Sequence, residues 1–145
     1  MSVETRLALR ELADRYASLV DRRDIDGVAG LFTEDGSLLI HGPGDTEPRR
    51  GYEGRSNIRQ ALGGLSRFRA TSHLVGGQLL DLDGRTGETY CLASHVYDTG
   101  DGPRIYVMSL RYQDAFAETP DGWRFAVRRE LVDWAEDRPF QPREV

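Results

Sequence analysis

The sequence predicts an α+β fold in one domain. Three observations carry this: an amphipathic helical period near the N-terminal end, a change of texture at Phe68 to β-branched and aromatic runs, and Gly-Asp pairs between those runs. The 145 residues leave no room for a second full-sized core.

The first helix follows from Leu9, Leu12, Ala13, Tyr16, Leu19 and Val20, which recur at helical spacing, with Arg6, Arg10, Glu11, Asp14 and Arg15 mostly on the wet side. A second short helix starts after Asp24, a good N-cap, and carries Ile25, Val28, Leu31 and Phe32 before Asp35-Gly36 turns the chain. Ser37 to His41 reads as a strand. Gly42 to Arg50, rich in Gly, Pro and charge, reads as a loop or flap. A third helix runs from about Ser56 to Leu65, its end weakened by Gly63-Gly64. Four strands follow at roughly 68–82, 86–98, 104–117 and 122–134, joined by turns at Asp83-Gly84, Gly100-Asp101-Gly102 and Asp121-Gly122. They form an antiparallel meander. Beyond Trp134, Pro139 and Pro142 indicate an irregular tail.

Composition narrows the function. With 39% hydrophobic residues the chain can bury a core, and the net charge of -5 gives no reason to expect a nucleic-acid partner. All basic residues are Arg, so a lysine mechanism is excluded. The single Cys91 permits no intrachain disulfide or Cys cluster and reads as a small core residue. Neither a signal peptide nor a membrane-spanning run is seen, which leads us to expect a cytoplasmic protein with no membrane partner.

Candidate chemistry lies in polar residues that interrupt apolar elements. Asp21 ends the first helix, where the macrodipole disfavours a carboxylate; either something holds it there or it is a turn residue salted by Arg22 and Arg23. His73 shares a strand face with Thr71 and Val75, and His95 with Cys91, Ala93 and Tyr97. Each is either a structural histidine bonded to backbone or a general base oriented by a carboxylate. His41 ends the first strand. Arg124, Ala126 and Arg128 share one face of the last strand and Trp123, Phe125 and Val127 the other; an inward Arg would anchor an anionic oxygen, and a bulge near Arg128-Arg129 would exchange which one points inward. His73, His95 and Asp21 have the types, though not a diagnostic spacing, of a two-His-one-carboxylate iron site. Gly76-Gly77 alone does not indicate a dinucleotide.

The element order, with Tyr16-Ala-Ser-Leu-Val-Asp21-Arg-Arg-Asp24-Ile-Asp26, Leu31-Phe32-Thr-Glu-Asp35-Gly36, Thr71-Ser-His73-Leu-Val-Gly76-Gly77 and Asp121-Gly122-Trp123-Arg124-Phe125, resembles the SnoaL-like branch of the nuclear transport factor two-like superfamily over residues 5–134. The resemblance implies a cone-shaped barrel, in which a curved antiparallel sheet wraps around N-terminal helices and leaves a deep pocket. Within the superfamily the pattern is most similar to scytalone dehydratase and hexachlorocyclohexane dehydrochlorinase, which pair an Asp after the first helix with a His on the sheet. Asp21 and His73 match that pair and His95 matches a second catalytic His, whereas Val20 and His41 stand where the family has tyrosines, and the dehydrochlorinase lysine is missing. Tyr16, His41, Tyr97 and Arg128 are then expected to bind substrate.

The function implied is a cofactor-independent, metal-free dehydratase, isomerase or cyclase acting on a small hydrophobic ring compound, polyketide or steroid-like, with Asp21 orienting His73 as base and His95 donating a proton. The alternative is a non-catalytic ligand-binding or dioxygenase β-subunit-like module; an epoxide hydrolase is a third, weaker reading. The family also implies a homodimer or homotrimer.

Overall fold

A computed structural model describes residues 2–83 and 85–145. The elements are helices α1 (Val3–Asp21), α2 (Ile25–Ala29) and α3 (Arg55–Gly63), a 3-10 turn over Gly64–Arg67, and strands β1 (Phe32–His41), β2 (Arg50–Glu53), β3 (Ala70–Asp81), β4 (Thr86–Thr99), β5 (Gly102–Thr119) and β6 (Gly122–Pro139). Ser2 caps α1 through the Thr5 amide, and Asp24 caps α2 through the Gly27 amide. No helix is long and apolar enough to cross a membrane among the described residues.

The sheet corrects the expected cone-shaped barrel. Its six strands lie in the order β2-β1-β6-β5-β4-β3, with β2 and β3 at free edges, so the sheet is open and neither closed nor curled. Closure would require β3 to meet β2, and a four-residue β2 offers little to pair with. Nor is the sheet wholly antiparallel: β1 runs parallel to β6, while every other neighbouring pair is antiparallel.

Other boundaries move for local reasons. The second helix stops at Ala29, because Leu31 and Phe32 are drawn into the strand layer: the Leu31 carbonyl accepts from the Phe125 amide and Phe32 pairs with Phe125. The strand expected from Ser37 therefore begins at Phe32, and Asp35-Gly36 becomes an irregularity inside it rather than a turn before it. The end of the expected flap contributes β2, paired with β1 from Ile40–Arg50 to Ser37–Glu53. The tail is strand as far as Pro139, since β5 supplies partners up to Arg104. Of the expected Asp83-Gly84 turn, Gly84 lies outside the described residues.

One face of the sheet carries the core. Leu9, Leu12, Tyr16 and Val20 of α1 and Ile58 and Leu62 of α3 pack with Leu38, Ala93, Leu110, Tyr112 and Phe125. Three bulges set which side chains face it. Gly76-Gly77 forms the one between β3 and β4, where Arg10 Nη1 reaches the Gly76 carbonyl at 2.6 Å. In β6, Ala126 has no counterpart between the Phe125–Phe116 and Val127–Ala115 pairs, and Asp133 has none between Val132–Leu110 and Trp134–Ser109. Because alternation restarts across a bulge, Phe125 and Arg128 both face the core.

Candidate active site

A cavity of about 300 Å3 lies between the core face of the sheet and helices α1 and α3. Tyr16 and Val20 reach it from α1, Leu62 from α3, and His73, His95 and Glu130 from β3, β4 and β6. Its size suits a small ligand.

Asp21, at the C-terminal end of α1, is held against the macrodipole by three hydrogen bonds from β3. It accepts from Thr71 Oγ1 at 2.9 Å and the His73 amide at 2.9 Å, and its Oδ1 lies 2.7 Å from His73 Nδ1. Partial burial works against its charge, but the bonds from the His73 ring, the His73 amide and Thr71 outweigh burial and keep the carboxyl below its ordinary range. An ionised carboxylate only accepts, so Nδ1 carries a proton, and in the neutral form of the ring Nε2 keeps its lone pair. Nε2 has no hydrogen-bond partner among the described residues, and the ring lines the cavity. Asp21 itself does not line it; it approaches the imidazole from behind, beside a separate groove that it shares with Arg23 and Thr71.

Arg23, expected at most to salt Asp21, has a different task. It adopts the left-handed conformation at φ 61° directly after the helix and sends Nη1 to the Val20 carbonyl at 2.9 Å and to Thr71 Oγ1 at 2.8 Å. Arg23 thus ties the end of α1 to the strand whose Thr71 binds Asp21.

His95 pairs across the strands with Thr71, and its ring lies edge-on to His73, 5.6 Å between centroids. Its Nδ1 is 3.2 Å from the Tyr106 carbonyl, which can only accept, so the proton sits on Nδ1 and Nε2 is an acceptor. Burial lowers its pKa to about 4, against the opposing pull of that carbonyl. Asp21, His73 and His95 are therefore brought together as expected types, but His95 is a neutral acceptor at neutral pH.

The four expected substrate-binding residues separate. Tyr16 lines the cavity, edge-to-face with Tyr112 at 5.6 Å. His41 lines it too and is buried, its Nε2 3.3 Å from Arg129 Nη1, an obligate donor. Tyr97 does not line the cavity: its hydroxyl donates to Asp137, which Arg104 also binds. Arg128 does not line it either. It is fully buried, paired with Asp114 through Nε at 2.9 Å and Nη2 at 3.3 Å, and its guanidinium carbon lies 3.7 Å from the Tyr112 ring centroid and 4.3 Å from those of Tyr16 and Phe125. The Ala126 bulge turns it into the core, where Asp114 and the aromatic faces take up the charge that a substrate was expected to meet.

Glu130 and Tyr106 were not singled out from the sequence, Thr71 stood only as a face-mate of His73, and Arg23 only as a salt partner of Asp21. Glu130 had a signal: it stands two residues after Arg128 and two before Val132 in a strand with period two. Among the described residues no group of three or more His, Cys, Asp or Glu is arranged to hold a metal ion, and His73 Nδ1 is engaged by Asp21.

Comparison with known proteins agrees with this architecture. The family model of the SnoaL-like domain matches residues 1–129. The uncharacterized protein Rv2910c of Mycobacterium tuberculosis is 31% identical over 132 residues, covering 88% of this chain and 85% of the relative. Among solved structures, a Novosphingobium aromaticivorans protein provisionally assigned as a scytalone dehydratase is 22% identical with a TM-score of 0.78, covering 97% of this chain and 94% of that one. A type 2 hexachlorocyclohexane dehydrochlorinase is 14% identical with a TM-score of 0.77, covering 99% and 97%. At these identities the two structures share the fold.

Proposed function

The chain belongs to the SnoaL-like domain family, and from that premise we propose that it is an enzyme, a lyase or isomerase that moves a proton on a small, largely apolar ring compound of the polyketide or steroid-like kind without a cofactor. The observation that carries this reading is the Asp21–His73 contact of 2.7 Å, with the opposite ring nitrogen free at a cavity lined in large part by apolar side chains.

In this reading Asp21 holds the Nδ1–H tautomer, so Nε2 takes a proton from the carbon next to a carbonyl or a leaving group. The carboxylate then stabilises the imidazolium that forms. Beside the apolar side chains that line the cavity, that charge interaction is stronger than in bulk solvent. His95 enters as an acceptor that holds a ligand hydroxyl, because its own proton is committed to the Tyr106 carbonyl. Tyr16, with its ring on the cavity wall, gives the ligand an apolar face.

The test is elimination of water from a panel of cyclic β-hydroxyketones and reduced aromatic polyketides, followed by absorbance of the new double bond. His73→Ala and Asp21→Asn each lower turnover by ~10²-fold or more if base transfer limits the rate. Equal turnover in both variants and the parent would end the reading.

The same proposal includes self-association as a homodimer or homotrimer. The sheet face opposite the helices exposes Leu74, Leu79, Tyr90, Leu92 and Trp134, with Leu74 directly across from Leu92. Light scattering on the parent and on Leu74→Glu tests it; a monomeric parent would refute it.

A further inference from the structure

Glu130 faces the cavity with no assigned task. It stands on β6 between Ile40 of β1 and Tyr112 of β5, and no described residue forms a hydrogen bond or an ion pair with its carboxyl. Its neighbour Arg128, two residues away, is committed to Asp114. The charged and titratable groups that act on it come from every surrounding element: Tyr16 on α1, Arg50 on β2, His73 on β3, Cys91 on β4, Tyr112 on β5 and Arg128 on β6. From β6 to β3 there are three strand spacings, at most roughly 14 Å between backbones, and the side chains of Glu130 and His73 reach into the space between.

We propose that Glu130 is the acid of this cavity: in its protonated form the carboxyl donates a hydrogen bond, and in turnover the proton, to a ligand oxygen whose neighbouring carbon is presented to His73. The inference rests on the reading of the cavity given above and supplies the donor that His95 cannot be. Burial raises the Glu130 pKa, while His73, Arg128 and Arg50 pull it back without reversing the direction.

For loss of water the step balances within the site. The C–H bond breaks and its proton goes to His73 Nε2; the electron pair forms the C=C bond; the C–O bond breaks with its pair on oxygen, which takes the Glu130 proton and leaves as water. The imidazolium then returns its proton to the carboxylate, so no other reactant is needed. A ligand suited to this geometry is a one- or two-ring compound with a carbonyl or hydroxyl oxygen at the Glu130 side and an acidic C–H at the His73 side.

The test uses 2-naphthol, whose rings suit the cavity and whose hydroxyl stands in for an enol, with the full chain and its His73→Ala, Glu130→Ala and Glu130→Gln variants. Naphthol fluorescence gives affinity, and the ¹³C signal of the Glu130 carboxyl, assigned through Glu130→Gln, gives its titration. We expect Glu130→Ala to weaken binding by up to ~10-fold, the loss of one buried hydrogen bond, and Glu130→Gln, which keeps a donor, to bind within about 3-fold of the parent. The Glu130 carboxyl titrates above the ordinary glutamate range and higher still with naphthol bound. Naphthol binding that depends on His73 but not on Glu130, or a Glu130 titration within the ordinary glutamate range, overturns the assignment of Glu130 and leaves the Asp21–His73 reading standing. Failure of the parent to bind naphthol overturns both.

Discussion

Arg128 and Asp114 form an ion pair with side chains only 1% and 0% exposed, so breaking it from one side has a calculable consequence. In Asp114→Asn the guanidinium stays buried and charged. Its Nε and Nη2 lose a charged acceptor, and Nη1, which already has no partner, cannot compensate. Orphaning one member of such a pair costs about 3–5 kcal/mol, a large fraction of the ~5–15 kcal/mol by which a domain is stable. With a urea m-value near 2 kcal/mol/M, that loss moves the unfolding midpoint down by roughly 1.5–2.5 M. The double variant Arg128→Met/Asp114→Leu removes both charges and places a thioether against Tyr16, Tyr112 and Phe125, so it should return to within about 1–2 kcal/mol of the parent. The residual loss is the cation–π contact with three rings. Urea unfolding followed by Trp fluorescence compares the parent with both variants. An Asp114→Asn loss under about 1 kcal/mol, or a double variant no better than the single, would refute the assignment of Arg128 to the frame rather than to the ligand.

Two further outcomes follow from the site's frame. His95 is neutral in the fold, with a pKa of about 4 against ~6.5 when unfolded, so the unfolded chain binds more protons between those values and stability falls as pH drops from 6.5 towards 4. The loss reaches at most about 3 kcal/mol, and urea midpoints of the parent and His95→Gln across that range should converge at the acid end; parallel curves would contradict it. Arg23→Ala removes the bonds to Val20 and Thr71 and still demands φ 61° of a residue with a Cβ, so it should be ~1 kcal/mol less stable than Arg23→Gly. Equal stability of the two would show that backbone strain at this turn is absent.

How much of this was legible in the sequence depends on the range of the interaction. The amphipathic period of α1 and the Asp24 cap are local and appear where the residues indicate. Asp21 could be singled out because it defied the helix dipole, and the strand partners that hold it, Thr71 and His73, belong to a motif already quoted. The parallel β1–β6 pairing was not legible: nothing in either segment states which way its neighbour runs, and that pairing is what draws Phe32 out of the second helix. The face of Arg128 was hidden for a similar reason. Counting twos from Trp123 fails once Ala126 drops out of register, and composition does not mark Ala126 as the residue that does so. An open sheet instead of a barrel is a property of the two edges together, which no single stretch of chain encodes.

The unmatched alanine has a further consequence for how this chain can change. Delete Ala126 and the β5–β6 ribbon closes with unbroken pairing: Val127 then follows Phe125 in plain alternation, and every position up to the second irregularity at Asp133 keeps the side it has now. Arg128 would still meet Asp114, and the acid of the cavity would still stand across from Tyr112. A gap of one codon at this point is therefore absorbed by the unpaired residue, and the chain can shorten here while outline and cavity both stay as they are.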